Sequence, residues 1–231
     1  MRQFLKTEQW QKTFIIIYSG QAFSLVGSAA VQFAIIWWLT IQTESAITLT
    51  LASIVSCLPN MLAGPFAGVW IDRCNRRTVM IAADGLVALS SVVLGIAFLS
   101  GNSPSVWFVY LILFIRGLGN TFHSPAMQAA IPLFVPVEML IKAGGWGNLV
   151  VSVSTMAGPA LGAVLMSIFP MAAVMLVDII GAAFAISCLL TVSIPDIPRS
   201  AVKVHIIEDI KNGISNMRNN KPLMAVFFPI V

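Results

Sequence analysis

The stretch from residue 47 to residue 100 decides the fold class. It begins with the apolar run ITLTLASIVSCLPNMLAGPFAGVWI (47–71), continues through the charged hexapeptide DRCNRR (72–77), and ends with a second apolar run, TVMIAADGLVALSSVVLGIAFLS (78–100). Each apolar run exceeds the roughly 20 residues that a helix needs to cross the hydrocarbon core of a bilayer. The pattern therefore predicts two transmembrane helices that are joined by a short basic loop.

Further apolar runs of the same kind lie on both sides of this pair. The six predicted spans are Phe14–Leu39, Ile47–Ile71, Thr78–Ser100, Val106–Met127, Ala143–Ile168 and Met171–Ser193. Composition agrees, because 58% of the 231 residues are apolar and only 10% are charged, against about 25% charged residues in an average soluble domain. This balance argues against a soluble enzyme, a disordered tail and a nucleic-acid-binding domain. The predicted fold class is an all-α membrane protein with six transmembrane helices.

The lysine and arginine residues fall on one side of this arrangement. If the N-terminus is cytoplasmic, the cytoplasmic segments hold twelve of the 13 basic residues and the outer loops hold none. Positive charge accumulates on the cytoplasmic side of membrane proteins, so the distribution predicts a cytoplasmic N-terminus in the cell membrane. The net charge of +4 then follows from topology and does not indicate a nucleic-acid partner. The cytoplasmic segments are 1–13, 72–77, 128–142 and 194–222, and the outer loops are 40–46, 101–105 and 169–170.

Four regions follow from these boundaries. Residues 1–13 form a cytoplasmic N-terminus, and residues 14–193 form the six-helix bundle. Residues 194–222 form a cytoplasmic linker whose isoleucines recur near helical spacing, which predicts an amphipathic helix on the membrane surface. Residues 223–231 begin another apolar run that reaches only about 13 Å as a helix. We therefore expect a fragment that ends as a seventh helix begins.

A short motif occurs in two corresponding helices. The sequence AGPFAG at 63–68 in the second span returns as AGPALG at 157–162 in the fifth, so both read AGPxxG. The two spans run in opposite directions, and this relation is typical of the 3+3 inverted repeat within one half of certain secondary transporters. The alternative is that small residues recur because they allow close helix packing.

Three ionisable residues lie within predicted spans: Asp84, Arg116 and Asp178. A charge near the middle of a bilayer costs about 2.5–3.5 kcal/mol even on the translocon insertion scale. Arg116 lies roughly 15 Å into its helix, so we expect it to face water or a carboxylate, with a structural ion pair as the alternative. Asp178 is predicted to pair with Arg116 or to face water. Asp84 lies near the inner end of its span, where capping beside the 72–77 loop and a role in transport are both open.

Polar residues form stripes on two of the helices. At 100° per residue the stripe on the first helix occupies an arc of about 120°, and a second stripe lies on one face of the fourth helix. Two facing stripes predict a central substrate cavity, whereas isolated polar residues in membrane helices otherwise hydrogen-bond to neighbouring helices. The stripes consist of Tyr18, Gln21, Ser24, Ser28 and Gln32 on the first helix and Arg116, Asn120 and His123 on the fourth.

Three segments resemble signatures of the major facilitator superfamily. GVWIDRCNRR at 68–77 resembles the loop 2–3 signature G-x-x-x-D-R-x-G-R-R/K, with Asn75 in place of a glycine. Because Asn tolerates a left-handed backbone, we expect the turn to persist. RGLG at 116–119 resembles the helix 4 signature, whose arginine is associated with proton coupling. The fifth helix resembles the antiporter signature G-x8-G-x3-G-P-x2-G-G, which is represented here by Gly145, Ser154, Gly158, Pro159, Gly162 and Ala163.

Four further segments resemble the macrolide-efflux (Mef-type) branch of this superfamily. They are GQAFSL at 20–25, FIR at 114–116, FHSPA at 122–126 and IPLFVP at 131–136. The resemblance implies that the chain is the N-terminal half of a twelve-helix carrier and requires a C-terminal six-helix half. It also implies export of small amphipathic drugs such as macrolides, and thus antibiotic resistance, by alternating access in exchange for protons.

The resemblance assigns roles to particular residues. In the loop 2–3 signature Asp72 takes the acidic role in gating, with Asp84 as a further acidic candidate, and Arg73 and Arg77 take the basic roles. The alternative is that the three arginines of this loop only set the topology. Arg116 is expected to tune a carboxylate whose proton exchanges for substrate, with Asp178 as a candidate partner. The gating set implied in this way is Gly68, Asp72, Arg73, Arg76, Arg77 and Asp84.

Other functions remain open at this point. The superfamily signatures do not name the cargo, so a siderophore or sugar exporter is one alternative, and a non-transporting or truncated half-transporter is another. A membrane enzyme is disfavoured because the sequence lacks HExxH, GxSxG and a phosphate-binding glycine loop. Three cysteines without a CxxC pair and two separated histidines predict no disulfide framework and no metal site. We expect no cofactor.

Overall fold

The computed structural model describes residues 7–101 and 103–192, and six α-helices account for nearly all of them. Each of these helices is long and apolar enough to cross a membrane, so the prediction of six apolar spans is confirmed. The predicted amphipathic helix in 194–222 and the start of a seventh helix at 223–231 lie outside the described residues. The helices are α1 (Thr7–Thr43), α2 (Ala46–Arg73), α3 (Arg76–Leu99), α4 (Val106–Phe134), α5 (Leu140–Ile168) and α6 (Met171–Thr191), with a 3-10 turn at Val137–Met139.

Two helices extend well beyond the spans that hydropathy predicts, and one of them, α1, begins at Thr7, seven residues before the predicted start at Phe14. α4 continues to Phe134, seven residues beyond the predicted end at Met127, so part of the expected 128–142 loop is helical. The helix ends there because Val135 precedes Pro136, and a residue before proline is driven out of the helical region into an extended conformation. α1 continues to Thr43 and ends at Glu44, whose left-handed backbone (φ 49°) breaks the helix.

The packing of the helices has two-fold pseudosymmetry. α1 packs against α5 and α6, α4 packs against α2 and α3, and α3 packs against α6. Exchanging the first three helices with the last three converts each of these pairs into another pair of the same set. The contact pattern therefore agrees with the predicted 3+3 repeat. α2 and α5 are its outermost members, since only 17% of the most apolar stretch of each is buried, against 39–50% for the other four.

The contact between α1 and α5 depends on two glycines of the repeated motif. A Cβ atom at Gly158 would lie 2.6 Å from the Cβ of Ala29, and one at Gly162 would lie 2.5 Å from the carbonyl oxygen of Ala30. Contacts this short between a Cβ and a neighbour do not occur, so only glycine permits this approach. The pseudosymmetric pair is α4 with α2. There the close contact is made by a glycine of α4, the counterpart of α1, since Gly117 packs against the backbone of Ser56 in α2.

The turn between α2 and α3 is built on a side-chain cap. Asn75 precedes α3, and its Oδ1 accepts a hydrogen bond from the backbone N–H of Thr78 at 3.2 Å. The turn persists as expected, but the φ of −68° at Asn75 lies in the extended region and not in the left-handed one. Asparagine replaces the signature glycine here because it satisfies an N–H group that the first turn of a helix leaves without a partner.

The cap at Asn75 leads to a test. Asn75→Ala should lower the free energy of unfolding by about 1 kcal/mol, because it removes the acceptor, whereas Asn75→Gly should lower it by only a few tenths. Asn75→Asp keeps the acceptor and should stay close to the parent chain. Unfolding in mixed micelles gives the three values. A gain of stability in Asn75→Gly would instead support a left-handed turn.

The packing of α1 on α5 leads to a second test. Gly162→Ala places a methyl group against the backbone of Ala30, and this overpacking should cost about 1–3 kcal/mol. The matched control is Gly85→Ala, since no described atom lies within 4 Å of a Cβ at Gly85. Its unfolding midpoint should be unchanged or higher. Equal stability of the two variants would show that the close approach of α1 and α5 does not hold in micelles.

Candidate functional site

Polar side chains are concentrated where α1, α3, α4 and α6 meet. In an apolar bundle a polar group without a hydrogen-bond partner is costly, because neither lipid nor apolar side chains replace the lost water. The described contacts join the ionisable side chains into two groups, one around Arg116 and one around Asp84. Ser90, Thr121 and Ser154 instead bond to backbone oxygens of their own helices. The buried polar residues are Gln21, Ser24, Asp84, Ser90, Ser91, Arg116, Thr121, His123, Ser154 and Asp178.

The first group surrounds a buried ion pair. The Nη1 of Arg116 donates hydrogen bonds to Asp178 Oδ2 and, at 2.7 Å, to Ser91 Oγ. The Nε of Arg116 donates to Gln32 Oε1 at 3.1 Å, and its Nη2 donates to the backbone oxygen of Ser28 at 3.3 Å. The side chains of Arg116 and Asp178 are 1% and 0% exposed. We call this set, with residues from all four helices, the Arg116 group.

Asp178 receives hydrogen bonds from two hydroxyl groups in addition to the guanidinium. Ser28 Oγ donates to Asp178 Oδ1 at 2.6 Å, and Ser91 Oγ donates to Asp178 Oδ2 at 2.7 Å. Buried ion pairs are tolerated when further hydrogen bonds complete both partners. Of the two alternatives for Asp178, the structure shows the pair with Arg116.

The second group connects α1, α3 and α4 through three side chains. The amide nitrogen of Gln21 donates to Asp84 Oδ2 at 3.1 Å, and the Nε2 of His123 lies 2.8 Å from Gln21 Oε1. The same Nε2 lies 3.4 Å from Asp84 Oδ1. We call these three residues the Asp84 group. Asp84 thus contacts the polar stripes of α1 and α4 rather than capping the loop at 72–77.

The two predicted stripes face each other, but they are in contact. A cavity of only about 10 Å³ lies beside Ser24, Ser28, Asp84, Asn120 and His123, which is at the lower limit for holding one water molecule. Gln21, Gln32 and Arg116 are used in the hydrogen bonds described above, while Asn120 is exposed. In this six-helix unit the expected central cavity is therefore narrow along most of the stripes.

A larger cavity opens at one end of the first stripe. It has a volume of about 270 Å³ between α1, α4 and α5, and its polar members include Tyr18, Ser124, Gln128 and Asn148. Apolar side chains such as Met127 form the rest of its wall. The cavity thus combines an apolar surface with a few hydrogen-bonding groups. Of the predicted cavity residues, only Tyr18 belongs to it.

A second cavity of about 310 Å³ lies between α2, α3 and α4 and is almost entirely apolar. Its wall includes Trp70, Cys74, Val79, Leu86 and Phe122. No member of either polar stripe contributes to the wall. Because its walls offer few hydrogen-bonding groups, this cavity suits an aliphatic or aromatic group and gives little orientation to a polar cargo.

The residues of the loop 2–3 signature lie together at one end of the bundle. Arg76 pairs with Asp72 at 3.3 Å and also donates to the backbone oxygen of Cys74. Arg77 reaches across to α6 and donates to the backbone oxygen of Leu190 at 2.9 Å. Arg73 is exposed at the end of α2. Gly68 is also exposed, and a Cβ atom at this position would meet no described atom within 4 Å.

The residues of the helix 5 signature face different surroundings. Gly158 and Gly162 meet α1, and Ser154 is buried with its Oγ bonded to the backbone oxygen of Val150. Gly145 and Pro159 are exposed. Within this unit, the signature therefore supplies one packed face and one open face of α5.

Sequence reasoning missed Ser91 and the polar wall of the cavity between α1, α4 and α5. Ser91 lies seven residues after Asp84, which is about two turns further along the same face of α3. That spacing was a usable signal for a second polar contact on this helix. Ser124, Gln128 and Asn148 gave a weaker signal, because only the packing of α4 near α5 brings them together.

A family profile and several known proteins are similar to this chain in sequence. The profile described as Major Facilitator Superfamily matches residues 17–231. Macrolide efflux protein A of Streptococcus pyogenes is 38% identical over 226 residues, which make up 96% of this chain and 55% of that protein. Macrolide efflux protein A of Enterococcus faecalis is 36% identical over 184 residues, covering 79% of this chain and 56% of that protein. The chain spans about half the length of the curated relatives it matches.

A solved structure has the same helix arrangement. It is a bacterial homolog of the human lysosomal transporter Spinster in an inward-facing and unoccupied conformation, with a TM-score of 0.62 and 14% identity over 93% of this chain and 49% of that one. This likeness concerns the fold alone. Because the family profile covers most of the sequence and the six helices pack as two related triplets, the chain belongs to the major facilitator superfamily of membrane transporters.

Proposed function

We propose that this chain forms the N-terminal half of a proton-coupled exporter of amphipathic drugs such as macrolides. The observation that carries the cargo is the 38% identity to Macrolide efflux protein A across 96% of the chain. The second half would be a six-helix bundle of the same superfamily, and transport would proceed by alternating access at the cell membrane. The basic ends of the helices would face the cytoplasm, in accordance with the positive-inside rule.

The cavity between α1, α4 and α5 supports an amphipathic cargo. Tyr18, Gln128 and Asn148 offer hydrogen bonds within a wall that is otherwise mostly apolar, and this combination binds molecules with both characters. Its volume of about 270 Å³ falls just below the range of about 300–1,000 Å³ that is usual for drug-sized ligands. The second half would supply the remaining wall.

The buried charges support coupling to an ion gradient. Ionisable residues within membrane spans are expensive to keep and mark ion pathways or proton relays. Here the Arg116 group and the Asp84 group place two carboxylates and one imidazole between four helices. Arg116 would set the electrostatic field in which a neighbouring carboxylate gains and loses a proton.

The loop 2–3 residues would act as the cytoplasmic gate. Asp72 and Arg76 hold the loop in one conformation, and the bond from Arg77 to Leu190 fastens the loop to the end of α6. Exchange of these contacts for contacts with the second half would accompany rocking of the two bundles. The packed glycines at 158 and 162 would keep α5 and α1 moving as one body.

The cargo can be tested with the complete reading frame in cells that lack other macrolide exporters. Accumulation of radiolabelled macrolide should fall at least severalfold, and a protonophore should restore it, because the proton gradient drives export. A labelled sugar and a labelled iron–siderophore complex serve as parallel cargoes. Export of either of these, with macrolide accumulation unchanged, would replace the proposed cargo.

The role of Arg116 can be separated from its contribution to folding. Arg116→Ala leaves Asp178 buried without its partner, which should destabilise the bundle by about 3–5 kcal/mol. The double variant Arg116→Met/Asp178→Leu removes both charges and should regain most of that stability, yet it should not export macrolide.

The control for this experiment is Lys142→Ala, because Lys142 is an exposed residue at the start of α5. Its export and its stability should match those of the parent protein. Proton-driven export by the double variant, at the parent rate, would show that the buried pair serves only the fold.

A further inference from the structure

Building on the proposed proton-coupled function, we propose that the exchangeable proton is held by the Asp84 group, namely Asp84, Gln21 and His123. In this assignment Asp178 stays ionised beside Arg116 throughout the cycle. The Arg116 group is then a fixed pair of charges, and the Asp84 group is the site whose charge changes. The superfamily signatures at 68–77, 116–119 and 145–163 contain neither His123 nor Gln21.

The two carboxylates differ in the nature of their partners. Asp178 is paired with a guanidinium, which carries its charge at every physiological pH, and it accepts two further hydroxyl hydrogen bonds. Asp84 is paired with an imidazole, whose charge itself depends on a proton, and with a neutral amide. Protonation of Asp178 would leave the charge of Arg116 unbalanced in the core. Protonation of the Asp84 group leaves no such permanent charge behind.

The hydrogen bonds suit one arrangement of donors and acceptors. The Nε2 of His123 faces two acceptors, Gln21 Oε1 and Asp84 Oδ1, so we place a hydrogen atom on this nitrogen. The amide nitrogen of Gln21 donates to Asp84 Oδ2, as it would to a carboxylate oxygen. The proposal assigns this arrangement to the ionised form of Asp84.

The same heavy-atom positions accommodate the protonated form. When one proton from water binds to Asp84 Oδ2, its new O–H faces the N–H of Gln21, and a half-turn of the amide resolves the conflict. Gln21 Oε1 then accepts from Asp84, while the amide nitrogen faces His123 Nε2, and the imidazole hydrogen resides on Nδ1. One proton from hydronium forms the new O–H bond at Asp84. In His123 the Nε2–H bond breaks and an Nδ1–H bond forms by proton exchange with water, so the imidazole stays neutral. Release of the Asp84 proton reverses each step. Gln21 is thus a positioning residue that matches either state.

The Asp84 group is less completely buried than the Arg116 group. The side chains of His123 and Asp84 are 6% and 9% exposed, whereas those of Arg116 and Asp178 are 1% and 0% exposed. The small cavity beside Asp84 and His123 also borders the exposed Asn120. In the proposal, protons would reach Asp84 and His123 from the side of Asn120.

The neighbouring helices bring few other ionisable groups to the Asp84 group. α1 contributes Tyr18, whose hydroxyl lies against Gly147 of α5. α4 contributes Arg116 and α6 contributes Asp178, and these two are bonded to each other. Among the described contacts of Asp84 and His123, each residue is therefore the other's ionisable neighbour.

The test uses the complete purified protein and infrared difference spectra between acidic and alkaline pH. In the parent protein we expect a carboxyl protonation band together with an imidazole band, both with one midpoint. Asp84→Asn should abolish the carboxyl band, and His123→Gln should shift its midpoint. Glu138→Gln is the matched control, since Glu138 is an exposed carboxylate outside the buried groups, and its carboxyl band and midpoint should stay as in the parent.

A second readout measures protons released per protein when erythromycin is added in proteoliposomes. Asp84→Asn should lower this release at least tenfold, whereas Glu138→Gln should leave it unchanged. Unchanged proton release and an unchanged band in Asp84→Asn or His123→Gln would overturn the proposal. If Asp84→Asn does not fold, His123→Gln decides, and an unchanged midpoint in that variant overturns the proposal.

Failure of this proposal is distinguishable from failure of the proposed function. Proton-driven export of macrolide that persists in Asp84→Asn leaves the exporter in place and removes the Asp84 group as the proton site. A titration band assigned to Asp84, without export of any macrolide, supports the proton site and removes the proposed cargo.

Discussion

The structure of the bundle depends on the burial of one arginine. A guanidinium this far from water must be neutralised and fully hydrogen-bonded, and no single helix can do this alone. Arg116 on α4 obtains its acceptors from α1, α3 and α6, so the four helices that surround it are fixed in register with one another. The outer helices α2 and α5 contribute nothing to this group in the described contacts, and they are also the least buried.

Much of the fold was predictable because bilayer physics restricts the alternatives. The apolar runs gave all six helices, and the AGPxxG repeat pointed to the pairing of triplets that the packing shows. The helix ends at 134 and 43 were missed because Pro136 and the backbone of Glu44, rather than hydropathy, determine them. The turn at Asn75 was predictable, but its backbone conformation was not, since a capping side chain and a left-handed backbone fit the same position in a sequence.

The candidate site was predictable as a set of residues, although not as a set of contacts. Periodicity placed Gln21, Ser28 and Arg116 on inward faces, because angle follows from spacing along a helix. It could not reveal that the facing stripes touch, that Asp84 joins His123, or that Ser91 completes the ion pair. These facts depend on distances between helices, which the small residues at the crossings determine.

The two copies of the AGPxxG motif are used differently. In α5 its glycines receive α1, but in the pseudosymmetric pair the close contact is made by Gly117 of α4, and a Cβ at Gly68 of α2 would meet no described atom within 4 Å. The same spacing of small residues thus makes a helix crossing in one triplet and leaves an open helix surface in the other. Identical glycine spacing therefore does not by itself dictate which helices come together.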